Sequence, residues 1–143
     1  MLRARLALVV LNLSAILVLL GASYDLLTPS LPAQQLVFLG VAENQLDPRT
    51  AQLVLALLRA LGGCLTAIGI GTLFLVNYGV RRGRNWAAIA VLVMIGMAEG
   101  LNSVQMYRVG SPFWAPLIPV GLTVLGVVLA YVPSPAFATE PAA

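Results

Sequence analysis

Four long stretches of apolar residues, separated by short polar or charged segments, set the pattern of this chain. A membrane-spanning helix needs about 20 predominantly apolar residues to cross roughly 30 Å of hydrocarbon. The stretches at about 6–23, 48–80, 86–107 and 113–132 are long enough or nearly so. The pattern predicts an all-α integral membrane protein, a four-transmembrane-helix bundle in a single domain over 1–143.

The first apolar stretch also fits a secretory signal peptide. Arg3 and Arg5 precede a largely apolar run at 6–20, and small residues follow at 21–23. The small-residue site is a weak match, so we expect this segment to remain as the first membrane helix, with cleavage as the alternative.

The second stretch carries a clear start signal for a helix. Asp47 suits an N-cap and Pro48 the first helical position, where a missing N–H costs nothing. A helix continuing to about Val80 would be roughly 45 Å long, so it must tilt or protrude from the hydrocarbon.

The long loop before that helix has an apolar middle at about 32–41, which follows Ser30, a candidate N-cap. This segment is too short to span a membrane, and it predicts a short interfacial helix. Two interpretations stay open: an anchor on the membrane surface, or a lid over a cavity in the bundle. The Pro- and Ala-rich tail at 133–143 is predicted to be irregular.

Arginines are distributed unequally between the two ends of the predicted bundle. The positive-inside rule places the arginine-rich end, and both chain termini, in the cytoplasm. All eight basic residues are Arg, as in proteins from GC-rich bacterial genomes, so we expect a bacterial cytoplasmic (inner) membrane location. The arginine-rich end holds Arg3, Arg5, Arg81, Arg82 and Arg84, and the opposite end holds Arg49 and Arg108.

Composition excludes several classes of protein. Only 9% of residues are charged, whereas soluble domains carry about a quarter. The net charge of +3 comes from arginines at membrane boundaries and gives no nucleic-acid signal. With no His and a single Cys, Cys64, one chain offers no His-ligated haem, no zinc site and no disulfide. We expect no enzyme activity and no metal or cofactor of its own; a bound lipid, or a partner's pigment or quinone, stays open.

Small residues recur at four-residue spacing on the second and third predicted helices. Such faces allow close approach of helix backbones in membranes. They predict a tight contact between these two helices along Gly63, Ala67, Gly71, Gly96 and Gly100.

Glu99 and Arg59 are the ionisable residues inside predicted membrane helices, where such residues indicate function. Asn102 and Ser103 follow Glu99 by three and four positions, so the three side chains share one helix face. That face is expected to point into the bundle. There Glu99 either strengthens helix packing or binds a proton, a cationic substrate or a lipid headgroup.

Direct pairing of Glu99 with Arg59 is the less favoured arrangement. Ideal upright helices would place the two residues about 12 Å apart in height. The alternative is that Arg59 extends to the outer interface. Asn12, Ser14 and Asn77 are predicted to form hydrogen bonds between helices.

The segment RALGGCLTAIGIGTLFLVNYGVRRGRNWA, at 59–87, resembles small bacterial four-helix membrane proteins of the DoxX-like type. In those proteins an Arg and a Gly pair open a helix rich in small residues that ends in a basic turn. The resemblance implies a compact four-helix bundle, often linked to redox or complex-associated partners. It also implies packing and boundary roles for Arg59, Gly62 and Gly63.

Two functional hypotheses follow. The leading one is a non-catalytic accessory subunit that packs against a larger membrane protein complex, because the chain has small-residue faces and no cofactor ligands. The alternative is a small transporter, or a protein that binds a lipid or small molecule, using Glu99 with Asn102 and Ser103 beneath the outer lid.

Overall fold

The computed structural model describes residues 2–131, which form helices joined by short loops and include no strand. Three helices are long and apolar enough to cross a membrane: Leu2–Leu27, Pro48–Arg82 and Asn85–Arg108. The predicted all-α class is therefore confirmed for this part of the chain. The predicted irregular tail lies outside the described residues.

The helices are numbered here in chain order. They are α1 (Leu2–Leu27), α2 (Ala33–Leu39), α3 (Pro48–Phe74), α4 (Asn85–Arg108) and α5 (Leu117–Tyr131). A 3-10 turn at Glu43–Gln45 precedes α3, and α3 continues through a π-helical turn (Leu75–Gly79) and a 3-10 turn (Val80–Arg82).

Local chemistry explains where three of these helices begin. The Asp47 carboxylate accepts a hydrogen bond from the Thr50 N–H at 3.0 Å, so the predicted cap of α3 is confirmed. The cap predicted at Ser30 is wrong, because Pro32 occupies the N-cap of α2. Residues 113–116, predicted to open the last helix, form turns instead. Pro116 and Pro119 each lack an N–H, which disfavours regular helix there.

α1 is the central helix of the bundle and packs antiparallel against both α3 and α5. A Cβ atom built on Gly62 of α3 would lie 2.9 Å from the Ala22 carbonyl oxygen, and one on Gly126 of α5 would lie 2.6 Å from the Leu11 side chain. Both glycines therefore allow close approach to α1. α4 packs on α5 and on the π-helical turn, where Gly79 meets Ala87.

The predicted tight contact between α3 and α4 is wrong. α3 packs on α1, and a Cβ atom on Gly63, Gly96 or Gly100 would meet nothing within 4 Å. Ala67 is exposed, and Gly71 approaches α4 only at the tip of Met94, at 3.4 Å.

Helical geometry explains the difference. At 100° per residue, Gly63 and Ala67 lie roughly 100° and 140° around α3 from Gly62, which packs on α1. Gly96 and Gly100 lie roughly 120° to 160° around α4 from Met94, which faces α3. Most of the small residues that predicted the contact therefore lie on faces of α3 and α4 that point away from each other.

The predicted interhelical hydrogen bonds are confirmed. Ser14 Oγ donates to the Pro119 carbonyl oxygen at 2.7 Å and lies 2.8 Å from Thr123 Oγ1, which joins α1 to α5. Asn77 Nδ2 donates to Asn12 Oδ1 at 2.9 Å, which joins α1 to the π-helical turn.

Two buried threonines provide a matched test of these bonds. Thr123 and Thr72 are both fully buried, but the Thr72 hydroxyl has no hydrogen-bond partner within the described structure. Thr123→Val is expected to lower the free energy of unfolding by about 1 kcal/mol, because it removes an interhelical hydrogen bond. Thr72→Val is expected to leave it unchanged or raise it, because it removes an unsatisfied hydroxyl.

Denaturation in mixed micelles, followed by far-UV circular dichroism, measures both values. An equal loss of stability in the two variants would mean that the Thr72 hydroxyl does have a partner.

Candidate functional site

α3 and α4 diverge toward the end of the bundle that carries α2, which we call the α2 end. They are in contact at Gly71 and Met94 and at the π-helical turn. Beyond these contacts a cavity of about 550 Å³ lies between them. Its walls include Val54, Leu58 and Leu61 of α3, Asn102, Gln105 and Met106 of α4, and Val109, which follows α4.

α2 forms part of the wall of this larger cavity. Gln34, Gln35, Phe38 and Leu39 of α2 all line it. The Gln35 side-chain oxygen is buried and has no hydrogen-bond partner among the described residues, so it is an unused acceptor beside the cavity. Both interpretations of this segment, a surface anchor and a lid, stay predictions.

A second cavity of about 350 Å³ adjoins the first. The two share the side chains of Tyr24, Asp25, Asn102 and Met106 as walls. The smaller cavity also reaches Glu99 and the proline-rich start of α5, at Pro116 and Pro119. We call the two cavities together the cleft.

Glu99 is the most deeply placed charged group of the cleft, with only 5% of its surface exposed. Its position follows from α4, whose buried face also carries Val91 and Ile95 at helical spacing. Asn102 Nδ2 donates a hydrogen bond to Glu99 Oε2 at 3.3 Å, and both residues line the smaller cavity. Glu99 and Asn102 therefore form one polar unit on the wall of the cleft.

Ser103 and Arg59, the other two candidates, lie elsewhere. Ser103 Oγ donates to the Phe113 carbonyl oxygen at 2.6 Å, so it fastens the turn before α5 to α4. Arg59 is exposed, and its guanidinium donates to the Thr28 carbonyl oxygen at 3.4 Å. Arg59 lines neither cavity and does not reach Glu99.

Asp25 is the site residue that sequence analysis missed. It was assigned to the loop after the first helix, but α1 continues to Leu27 and carries Asp25 into the wall of both cavities. A signal was present: Ala15, Val18 and Ala22 are buried at helical spacing, and Asp25 continues the same face.

The charge of the cleft is one-sided. Two carboxyl groups, Asp25 and Glu99, line the cleft, and no basic side chain among residues 2–131 lines either cavity. Most of the remaining wall is apolar, with the aromatic rings of Tyr24 and Phe38 at the larger cavity. A buried carboxylate is costly unless a cation, a proton or hydrogen-bond donors compensate it. Asn102 provides one such donor to Glu99, and a cation or a proton in the cleft would compensate its charge further.

The donor set is poor for a metal ion. Within residues 2–131 no group of three or more His, Cys, Asp or Glu side chains comes together. Cys64 is exposed on α3 and does not line the cleft.

Comparison of the chain with protein-family models, with curated proteins and with solved structures finds no match. The resemblance of 59–87 to DoxX-like proteins stays a prediction. The function is accordingly argued from the cleft itself.

Proposed function

We propose that this chain is a membrane protein that binds or transports a small amphiphilic cation of the organic ammonium class, held in the cleft. The observation that carries the proposal is Glu99. It is a carboxyl group with 5% of its surface exposed, it borders a cavity of about 350 Å³, and no arginine lies in that cavity's wall.

Each part of the wall has a role in this proposal. Glu99 provides the negative charge, Asn102 orients its carboxyl group through the 3.3 Å hydrogen bond, and Asp25 adds a second charge where the two cavities meet. Leu17 and Leu65 offer apolar surface for the ligand's hydrocarbon part. The Tyr24 ring adds a face on which a cationic group is attracted.

The proposal includes a membrane placement. α5 has 15 residues, or roughly 22 Å of helix, and we propose that it crosses together with the turns at 113–116, giving four spans. We propose that α1 stays in the mature protein and is not cleaved as a signal peptide, because it packs between α3 and α5. The arginine-rich end faces the cytoplasm of a bacterium, and α2 lies at the opposite interface.

Calorimetric titration of the protein in lipid nanodiscs tests this function. The probe is benzyltrimethylammonium, whose charge does not depend on pH, and the control is neopentylbenzene, its uncharged carbon isostere. We expect saturable binding of the cation and at least tenfold weaker binding of the isostere. Equal affinity for the two compounds, or no binding of the cation, would contradict the proposal.

A role as an accessory subunit is the second candidate, and one observation favours it. Gly63 and Ala67 lie on the outward face of α3, both exposed, and nothing in the described chain comes within 4 Å of a Cβ on Gly63. A helix of a larger complex can pack closely on such a face. Native mass analysis after gentle solubilisation tests this: a stoichiometric partner would support it, and a free chain or small homo-oligomer would contradict it.

A further inference from the structure

The end of the bundle opposite the cleft holds a second concave surface, which we call the arginine groove. It has a volume of about 260 Å³ and lies where α3 turns into α4. Its walls include Phe74, Leu75, Tyr78, Arg82, Arg84 and Trp86. None of these residues takes part in the cleft.

The irregular end of α3 creates this surface. The π-helical turn at Leu75–Gly79 widens the helix, and the 3-10 turn then ends at Gly83, whose φ of 71° is a left-handed conformation that suits glycine. The chain reverses there, so Arg82 and Arg84 line one groove. The neighbouring Arg81 does not line it, although it lies in the same turn.

The walls of the groove include both apolar and positively charged side chains. Phe74 and Tyr78 stack with ring centroids 5.6 Å apart, and with Leu75 they form an apolar wall on the side of the membrane helix. Arg82 and Arg84 line the same groove, as does Trp86 at the start of α4. Among residues 2–131, no acidic side chain lines the groove.

We propose that the arginine groove binds one anionic phospholipid. Arg82 and Arg84 would hold the phosphate, because guanidinium groups donate several hydrogen bonds in a geometry that matches phosphate oxygens. An acyl chain would lie along Phe74 and Leu75, and Trp86 would sit at headgroup level, as interfacial tryptophans do. Basic pockets at the ends of membrane helices are suited to anionic headgroups.

Fluorescence of Trp86 tests this assignment directly. The chain has two Trp residues, so Trp114→Phe leaves Trp86 as the only indole. Purified Trp114→Phe protein is placed in mixed bilayers that contain brominated phosphatidylglycerol or brominated phosphatidylcholine as the quencher. We expect about thirtyfold stronger selection of phosphatidylglycerol at the quenching site, since two arginines near a membrane surface favour anionic lipid by about 2 kcal/mol.

Paired variants separate the groove from general surface charge. Arg82→Gln with Arg84→Gln is expected to abolish the lipid selectivity, whereas Arg81→Gln, in the same turn but outside the groove, is expected to keep most of it. Excess inorganic phosphate is expected to leave the quenching unchanged. Equal quenching by the two lipids, an equal loss in Arg81→Gln, or displacement by free phosphate would each overturn the proposal.

Discussion

Glu99→Gln is expected to weaken the binding of benzyltrimethylammonium by about 100-fold or more, while the protein stays folded. Removing one partner from a buried charge pair costs about 3 kcal/mol or more, which corresponds to that ratio. Glutamine has nearly the same shape as Glu99, and its side-chain oxygen can still accept the hydrogen bond from Asn102. The measurement is calorimetric titration in nanodiscs, with the thermal unfolding temperature recorded for the same samples.

Asp47→Asn is the matched control for Glu99→Gln, because it removes the same charge from an exposed carboxylate. Asp47 caps α3 through the Thr50 N–H, and asparagine caps helices about as well as aspartate. Affinity for the cation is expected to be unchanged in this variant. Asp25→Asn is expected to give an intermediate loss, because Asp25 is only partly buried at the junction of the two cavities.

These variants also separate the two interpretations of Glu99. If its carboxyl group only strengthened helix packing, Glu99→Gln would change stability and leave the affinity for the cation as in the unmodified protein. That result would remove the cleft as the site of cation binding.

Gly62→Leu is expected to lower the free energy of unfolding by about 3 kcal/mol or more. Even a Cβ atom there would lie 2.9 Å from the Ala22 carbonyl oxygen and 3.0 Å from Asp25 Cβ. The Ala22 oxygen belongs to the backbone of α1, so α1 and α3 would have to separate. The expected loss of stability is therefore at the upper end of the range for overpacked cores. Because the displaced segment carries Asp25, the affinity for the cation is expected to fall as well.

Gly63→Leu is the control, one position along the same helix. Nothing lies within 4 Å of a Cβ at Gly63, and its face points away from the bundle. Stability in micelles is expected to stay within about 0.5 kcal/mol of the unmodified protein or to rise, because leucine favours the helix over glycine. Similar losses at both positions would mean that α1 and α3 do not pack as described.

The helices of this chain were predictable because their signals are local. An apolar stretch of sufficient length predicts a helix wherever it later packs, and the Asp47–Pro48 pair marks the start of α3 by its own hydrogen bonding. Helix ends were less predictable. The apolar stretch ends near Ser23, but α1 continues to Leu27. This extension places Asp25 against α3 and toward the cleft.

Helix pairing was not predictable from the small residues alone. Gly62 and Gly63 are adjacent in sequence and lie about 100° apart around α3, and the position of α1 decides that Gly62 is buried and Gly63 exposed. A glycine pattern shows where a backbone approach is allowed, and it does not identify the neighbour.

The candidate site was predictable in part. The spacing of Glu99 and Asn102 placed them on one face of α4, and the structure brings them together on the cleft. The cleft itself lies between α3 and α4, which is a matter of tertiary packing and not of local sequence. Asp25 belongs to the site only through the same arrangement, so no local pattern around Glu99 would have indicated it.

The most direct test of the central claim is labelling of Glu99 in native membranes with dicyclohexylcarbodiimide, a hydrophobic reagent that reacts with carboxyl groups. Peptide mass spectrometry measures the modified fraction of Glu99 with and without benzyltrimethylammonium. The cleft predicts that Glu99 is labelled and that the cation protects it, while neopentylbenzene protects it much less. Labelling of Glu99 that the cation leaves unchanged would contradict a cation site built on this carboxyl group.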